Sequence, residues 1–392
     1  MVPKGMVDHL LLLIGALLVM NTQFHCEGND KVDVTILESA VSKGAVCLDG
    51  SPPAYQYAKG FGDGAKNWMV YLEGGGWCDS KSDCLKRANE ALGSSKKITP
   101  NYFGGILSQS RTTNLDFYNW NRVMVRYCDG SSFTGDVEEI DQETNLHRRG
   151  ARVFNAIVED LLAKGMKNAS NVMLVGNSAG GLATILNCDH FRALVPSASK
   201  LKCIADSGFF IRAKDLPGAE ERESYYARVV EFHNITRFLP KSCTSKMDPG
   251  LCFFPENLVG DIQTPLFLLN SAFDKFQITY KLKPHPADEP QWQNCIQNIG
   301  VCSPGQLQII RDFRTAFLET LQDIGNCSSR GMFINSCYIH DFLWSTARWN
   351  GNGSPRLGNK TIAQAIGDWY FERSFVQEID TKNDYPLNCT DS

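Results

Sequence analysis

Residues 171–181 read NVMLVGNSAGG, an apolar run from Val172 to Val175 that ends on Gly176-Asn177-Ser178-Ala179-Gly180 and one more glycine. A hydroxyl between glycines at the end of a hydrophobic strand serves as a turn residue, a phosphate-loop residue or a nucleophile. The five residues from Gly176 fit G-x-S-x-G, the strand-to-helix elbow in which small neighbours let the chain pass a strained serine. A helix should follow at once, and LATILNCDHFRAL (182–194) has the composition for one. The N-terminus of that helix would aim backbone N–H groups at a reacting oxygen. A plain tight turn yields the same letters, so the rest of the chain has to decide.

Short apolar strands recur near 68–73 and 122–127, at 171–175, near 201–206, at 265–272 and near 332–338, each closed by a glycine-rich or polar turn. Residues 147–164 repeat apolar positions at Val153, Ile157, Leu161 and Leu162, and residues 305–325 do so at Ile310, Phe313, Phe317 and Leu321. That is helical spacing. Strands alternating with helices predict an α/β fold, a mostly parallel central sheet with helices on both faces. Strands buried on both sides should be near-continuous apolar runs, as these are. The stretches 207–262 and 275–330 are too long for simple connections and read as disulfide-bonded insertions. The first carries AEERESYYARVVEF (219–232) and is expected to form part of a lid or substrate wall.

A serine is a weak nucleophile without a base. In the elbow type of hydrolase, an acid and then a histidine follow the serine in the chain. His147 precedes Ser178, His190 sits in or just after the helix behind it, His233 lies in an inserted helix, and His285 is flanked by prolines. His340 alone follows a late hydrophobic strand, in MFINSCYIHDF (332–342), and is the expected base. Asp274 ends the preceding strand region and is the expected acid, with Asp206, one strand earlier, as the runner-up. Asp341 is set aside because adjacent side chains in an extended segment point apart. An oxyanion needs donors: the N–H of Ala179, after the nucleophile, and two from the glycine run LEGGGWC (72–78), namely Gly76 and Trp77.

Composition bounds the setting. The chain of 392 residues is 43% hydrophobic, carries a net charge of −4 and holds 14 cysteines. No basic run favours nucleic acid, and no glycine loop ends in Lys-Ser/Thr. Leu10 to Met20 is an unbroken apolar or small stretch, too short to span a bilayer, which takes roughly 20 residues. It reads as the core of a secretory signal peptide over residues 1–26, with a single-pass anchor as the alternative. Cysteine-rich secreted chains are disulfide-bonded. The close pairs Cys78/Cys84, Cys243/Cys252 and Cys295/Cys302 are candidate local bridges; no C-x-x-C occurs and no histidine clusters with them along the chain, so no metal site is expected. If Cys26 leaves with the signal, one thiol of the remaining cysteines is unpaired. Sequons at Asn168, Asn234, Asn326, Asn352, Asn359 and Asn388 imply surface loops and glycosylation.

YLEGGGWC (71–78), RYCDGSSFTGD (126–136), GNSAGG (176–181), ADSGFF (205–210), LLNSAFDKFQI (268–278) and INSCYIHDF (334–342) together resemble the plant pectin acetylesterase family, itself similar to the animal carboxylesterase Notum. The resemblance covers nearly all the chain after the signal. It implies an α/β-hydrolase fold in a single domain over 27–392 and a secreted serine esterase that removes acetyl groups from pectin in the cell wall. It puts the nucleophile, acid and base on Ser178, Asp274 and His340, and the oxyanion donors on Gly76, Trp77 and Ala179. No cofactor is implied. The implied partner is acetylated pectin, with no membrane after signal cleavage and the chain a monomer. A polyanionic substrate would need basic or aromatic groove residues, for which Trp77 and the 129–135 loop are the guesses. A longer-acyl esterase and a non-catalytic hydrolase-fold binder stay open. Rate is expected to fall as pH drops through an ordinary histidine pKa of about 6.5.

Overall fold

The computed structural model describes residues 31–282, 289–324 and 329–389. The expected signal segment, His285, Asn326, Cys26 and Cys327 lie outside them.

The six expected strands form, as Asn67–Leu72 (β3), Asn121–Val125 (β4), Asn171–Asn177 (β5), Lys200–Asp206 (β6), Leu266–Ser271 (β7) and Arg330–Asn335 (β8). Three more join the sheet: Val34–Ile36 (β1), Ala54–Ala58 (β2) and Gln377–Ile379 (β9). The order is β1-β2-β4-β3-β5-β6-β7-β8-β9. All pairings from β4 to β9 are parallel, while β1–β2 and β2–β4 are antiparallel. This antiparallel edge is absent from the sequence reading.

Side chains alternate across the sheet, as the strand period requires. Trp68, Val70 and Leu72 enter a core shared with the helices Gly150–Ala163 and Ala179–Leu194. Met69 and Tyr71 enter the opposite core, with the helix Ile362–Tyr370. Both faces of the sheet are therefore covered by helices. Among the described residues, no helix is long and apolar enough to cross a membrane.

The twelve described cysteines all pair, the three close pairs among them, together with Cys47–Cys128, Cys188–Cys203 and Cys337–Cys389. Cys188–Cys203 ties the helix behind Ser178 to β6 across 15 residues of chain, a loop whose closure is worth about 3 kcal/mol in a chain-entropy account. The sequon residues Asn168, Asn234, Asn352, Asn359 and Asn388 are all exposed.

The order reverses at β3 and β5. The chain leaves β3 toward β4 on one side and leaves β5 toward β6 on the other. Open parallel sheets place ligands in the crevice at the carboxyl ends of such strands. The glycine run follows β3 there, and Ser178 follows β5.

Candidate active site

A cavity of about 480 Å³ opens at this crevice. Gly74, Gly75, Gly76 and Ser178, from the glycine loop and elbow, line it together with His340, Asp341, Trp344 and Arg348, from the segment after β8.

Ser178 stands at φ 53°, ψ −123°, between β5 and the helix Ala179–Leu194. A non-glycine residue at positive φ is strained and persists only where its surroundings over-determine it. Here they do. A Cβ on Gly176 would meet the Gly180 carbonyl oxygen at 2.2 Å, and one on Gly180 would meet that of Leu72 at 2.1 Å. The Ser178 N–H donates to the Asp206 carbonyl at 2.8 Å, and the Leu182 N–H closes the first helical turn on the Ser178 carbonyl. The Ala179 N–H is thereby one of the free donors at a helix start.

The glycine loop is pinned through its carbonyls. Arg87 donates to Gly75 O at 2.7 Å, and the Tyr127 hydroxyl donates to Gly76 O at 2.8 Å. In a trans peptide the C=O and the following N–H point opposite ways. Fixing these two carbonyls therefore fixes the N–H groups of Gly76 and Trp77. Neither N–H meets a protein acceptor among the described residues. Gly74 N–H donates to Asn177 Oδ1 at 3.0 Å and ties this loop to the elbow.

Asp274 is fully buried and caps the helix Lys275–Lys281, its Oδ1 accepting from the Gln277 N–H at 2.9 Å. Its Oδ2 is 2.9 Å from His340 Nδ1. The runner-up Asp206 has a different task. It is also buried, but its Oδ2 accepts from the Phe342 and Leu343 N–H groups at 2.8 and 2.9 Å, holding the loop that carries His340. His340 Nε2 is buried with no hydrogen-bond partner among the described residues.

The extended geometry expected at Asp341 does not form. Asp341 is not extended but has φ 74°, and its Oδ1 comes within 3.6 Å of His340 Nε2. It still does not reach Nδ1, where Asp274 sits. Burial alone would lower the His340 pKa, but the carboxylates of Asp274, Asp341 and Asp206 outweigh it and push it up to about 9. The ordinary histidine value thus gives way to the local acid cluster. Burial, then the Asp341 charge, push Asp206 up to about 7.

Other expectations are corrected. The Trp77 ring faces inward, packed on Phe210, Tyr226 and Phe253, with its Nε1 donating to Ser132 Oγ at 2.7 Å. The 129–135 loop is buried throughout. Neither supplies a groove side chain, and neither Trp77 nor Ala179 is among the residues lining the cavity, which leaves their main-chain N–H groups as the candidates for the expected role. The 207–262 insertion is not a lid over the cavity: Tyr226 and Phe253 wall in Trp77, and no described residue of this stretch lines the cavity. The 275–330 insertion contributes Phe276, whose ring stacks on His340 at 5.1 Å.

His233 caps the helix Ala219–Phe232 and does meet a cysteine pair in space, its Nε2 lying 3.7 Å from both Cys78 Sγ and Cys84 Sγ. Those sulfurs are bonded to each other and offer no thiolate.

Tyr71, Glu73, Asn101, Met124, Asn177, Phe276, Trp344, Ser345 and Arg348 also line the cavity and were missed. Trp344 and Arg348 lie only four and eight residues past His340, and that closeness to the candidate base was the available signal.

Comparison with known proteins places the chain among relatives. The sequence model of one family, described as Pectinacetylesterase, matches residues 25–392. Pectin acetylesterase 7 of Arabidopsis thaliana is 48% identical over 371 residues, 94% of this chain and 93% of that protein. Pectin acetylesterase 11 of the same plant is 48% identical over 364 residues, 92% of each chain. The crystal structure of the Wnt deacylase Notum from Drosophila superposes with a TM-score of 0.74 at 23% identity, covering 91% of this chain and 98% of that one. At that identity the likeness establishes the shared α/β-hydrolase fold.

Proposed function

The chain belongs to the pectinacetylesterase family, and from that membership we propose that it hydrolyses acetyl esters of pectin through an acetyl-serine on Ser178. The observation that carries the reading is 48% identity to two pectin acetylesterases over 92–94% of the chain. The cavity geometry supports the assignment of roles. Ser178 Oγ attacks the acetyl carbonyl while His340 Nε2 takes its proton, and Asp274 holds Nδ1–H and the imidazolium that forms. The N–H groups of Gly76, Trp77 and Ala179 receive the oxyanion. The sugar oxygen leaves with the proton from His340. Water then adds to the acetyl-enzyme by the same route, releasing acetate and free Ser178. On this reading residues 1–26 are the cleaved signal, residues 27–392 are one hydrolase domain, and the enzyme works outside the cell on wall polysaccharide.

The cavity favours a hydroxyl-rich substrate over a long acyl chain. Its lining is rich in polar residues: Tyr71, Glu73, Asn101, Asn177, Asp341, Ser345 and Arg348. Covering a solvated polar group of this lining with hydrocarbon leaves it unpaired at a cost of about 1–3 kcal/mol. A sugar ring brings donors and acceptors to the same places. The test is acyl selectivity on a common sugar alcohol. We expect kcat/KM to be at least about tenfold higher for acetyl than for octanoyl esters. A preference for octanoyl would turn the reading toward a long-acyl esterase.

A further inference from the structure

Arg348 is a cavity cation without a counter-ion. It sits on the short helix Thr346–Asn350, whose start is capped by Ser345 Oγ accepting from the Arg348 N–H. Its Nη1 donates to the Asp341 carbonyl at 3.1 Å, its buried Nε has no partner, and it makes no ion pair among the described residues. The two carboxylates that line the cavity are turned to other cationic partners. Glu73 is closed in a pair with Arg126 at 2.8 Å, and Asp341 Oδ1 faces His340 Nε2 at 3.6 Å. A guanidinium carries five donors in a planar fork that matches a carboxylate. Here one of them is spent on a carbonyl.

We propose that Arg348 is the specificity residue that receives a uronate carboxylate of the substrate, beside the acetyl group held at Ser178. This rests on the pectin acetylesterase reading above and adds to it the charge state of the preferred substrate. Free-acid galacturonate units are bound, and methyl-esterified ones are disfavoured. The overall charge of −4 repels a polyanion, so a local cation at the reacting bond is what orients one. A charge-assisted, two-point contact also fixes the register of the sugar ring against the serine.

The test compares acetylated galacturonate oligomers as free acids with the same oligomers methyl-esterified at the carboxyls. The quantity read is the free-acid to methyl-ester ratio of kcat/KM. In the wild type it exceeds one and falls as salt rises. Arg348→Gln lowers it about tenfold or more, chiefly through KM for the free acid. Arg348→Lys, which keeps the charge and loses the fork, lowers it less. If Arg348→Gln does not fold, the salt dependence of the wild type and the Arg348→Lys ratio decide. A salt-independent wild-type ratio at or below one overturns the proposal, as does a ratio unchanged in Arg348→Gln, while acetylesterase activity itself would stand. Release of acetate from neither oligomer overturns the esterase reading and this inference together.

Discussion

The two sides of the cavity are finished to different degrees. On the elbow and glycine-loop side, the chain is held by its own bonds: Arg87 and Tyr127 fix the Gly75 and Gly76 carbonyls, and Asn177 fixes the Gly74 N–H. On the His340 side, the loop is anchored from behind by Asp206, yet the buried His340 Nε2, Asp341 Oδ1 and Arg348 Nε make no hydrogen bond among the described residues, the first two meeting only at 3.6 Å. The first side is fixed by its own bonds and leaves the Gly76 and Trp77 N–H groups free among the described residues, whereas the second keeps buried polar atoms unpaired. Preorganised donors aimed at a developing charge need no rearrangement during reaction. Unpaired polar atoms instead put a cost on any substrate that cannot satisfy them. On the proposed reading the first side bears on rate, and the second on protonation and choice of substrate.

The larger effect should come from loosening the finished side. Tyr127→Phe removes the bond to the Gly76 carbonyl and with it the fixed direction of the Trp77 N–H. It should lower kcat by about 10- to 100-fold, less than or comparable to losing one oxyanion donor outright, with KM little changed. Steady-state kinetics on acetylated pectin would show it. A rise in KM at constant kcat would mean that the glycine loop binds substrate and does not serve the oxyanion.

A smaller effect, on pH and not on the maximal rate, is expected from the unfinished side. His340 acts as base only when unprotonated. With its pKa held near 9 by Asp274, Asp341 and Asp206, kcat/KM should fall as pH drops below about 9. Asp341→Asn removes one of the charges that favour the protonated ring, so the acidic limb should move to lower pH. Profiles of kcat/KM against pH for the two proteins would show the displacement. An unmoved limb would take Asp341 out of the protonation of the base.

This division also explains what was legible in the sequence. Gly176 and Gly180 are demanded by clashes that a Cβ would make with backbone, so the elbow is spelled out in letters. Asp274 and His340 follow the ends of β7 and β8, and apolar runs mark those strands plainly. The direction in which a side chain leaves a loop has no such mark. Trp77 was only a guess as a groove aromatic, and nothing local said that Phe210, Tyr226 and Phe253 would enclose it. Asp341 was dismissed on extended geometry, and a left-handed φ at an aspartate leaves no trace in neighbouring residues. The edge strands β1 and β9 have three residues each, too few for a period to show. Arg348 lies on a helix of five residues, and its want of a counter-ion is a fact of packing alone.

The central claim is that Ser178 carries the acetyl group. The most direct measurement is acetate release from acetylated pectin by the purified wild type and by Ser178→Ala. The account predicts release by the wild type and a fall in kcat of about 10⁴-fold or more in the variant, with the fold unchanged by circular dichroism. Equal release by both proteins would contradict it and leave Ser178 as a strained turn residue.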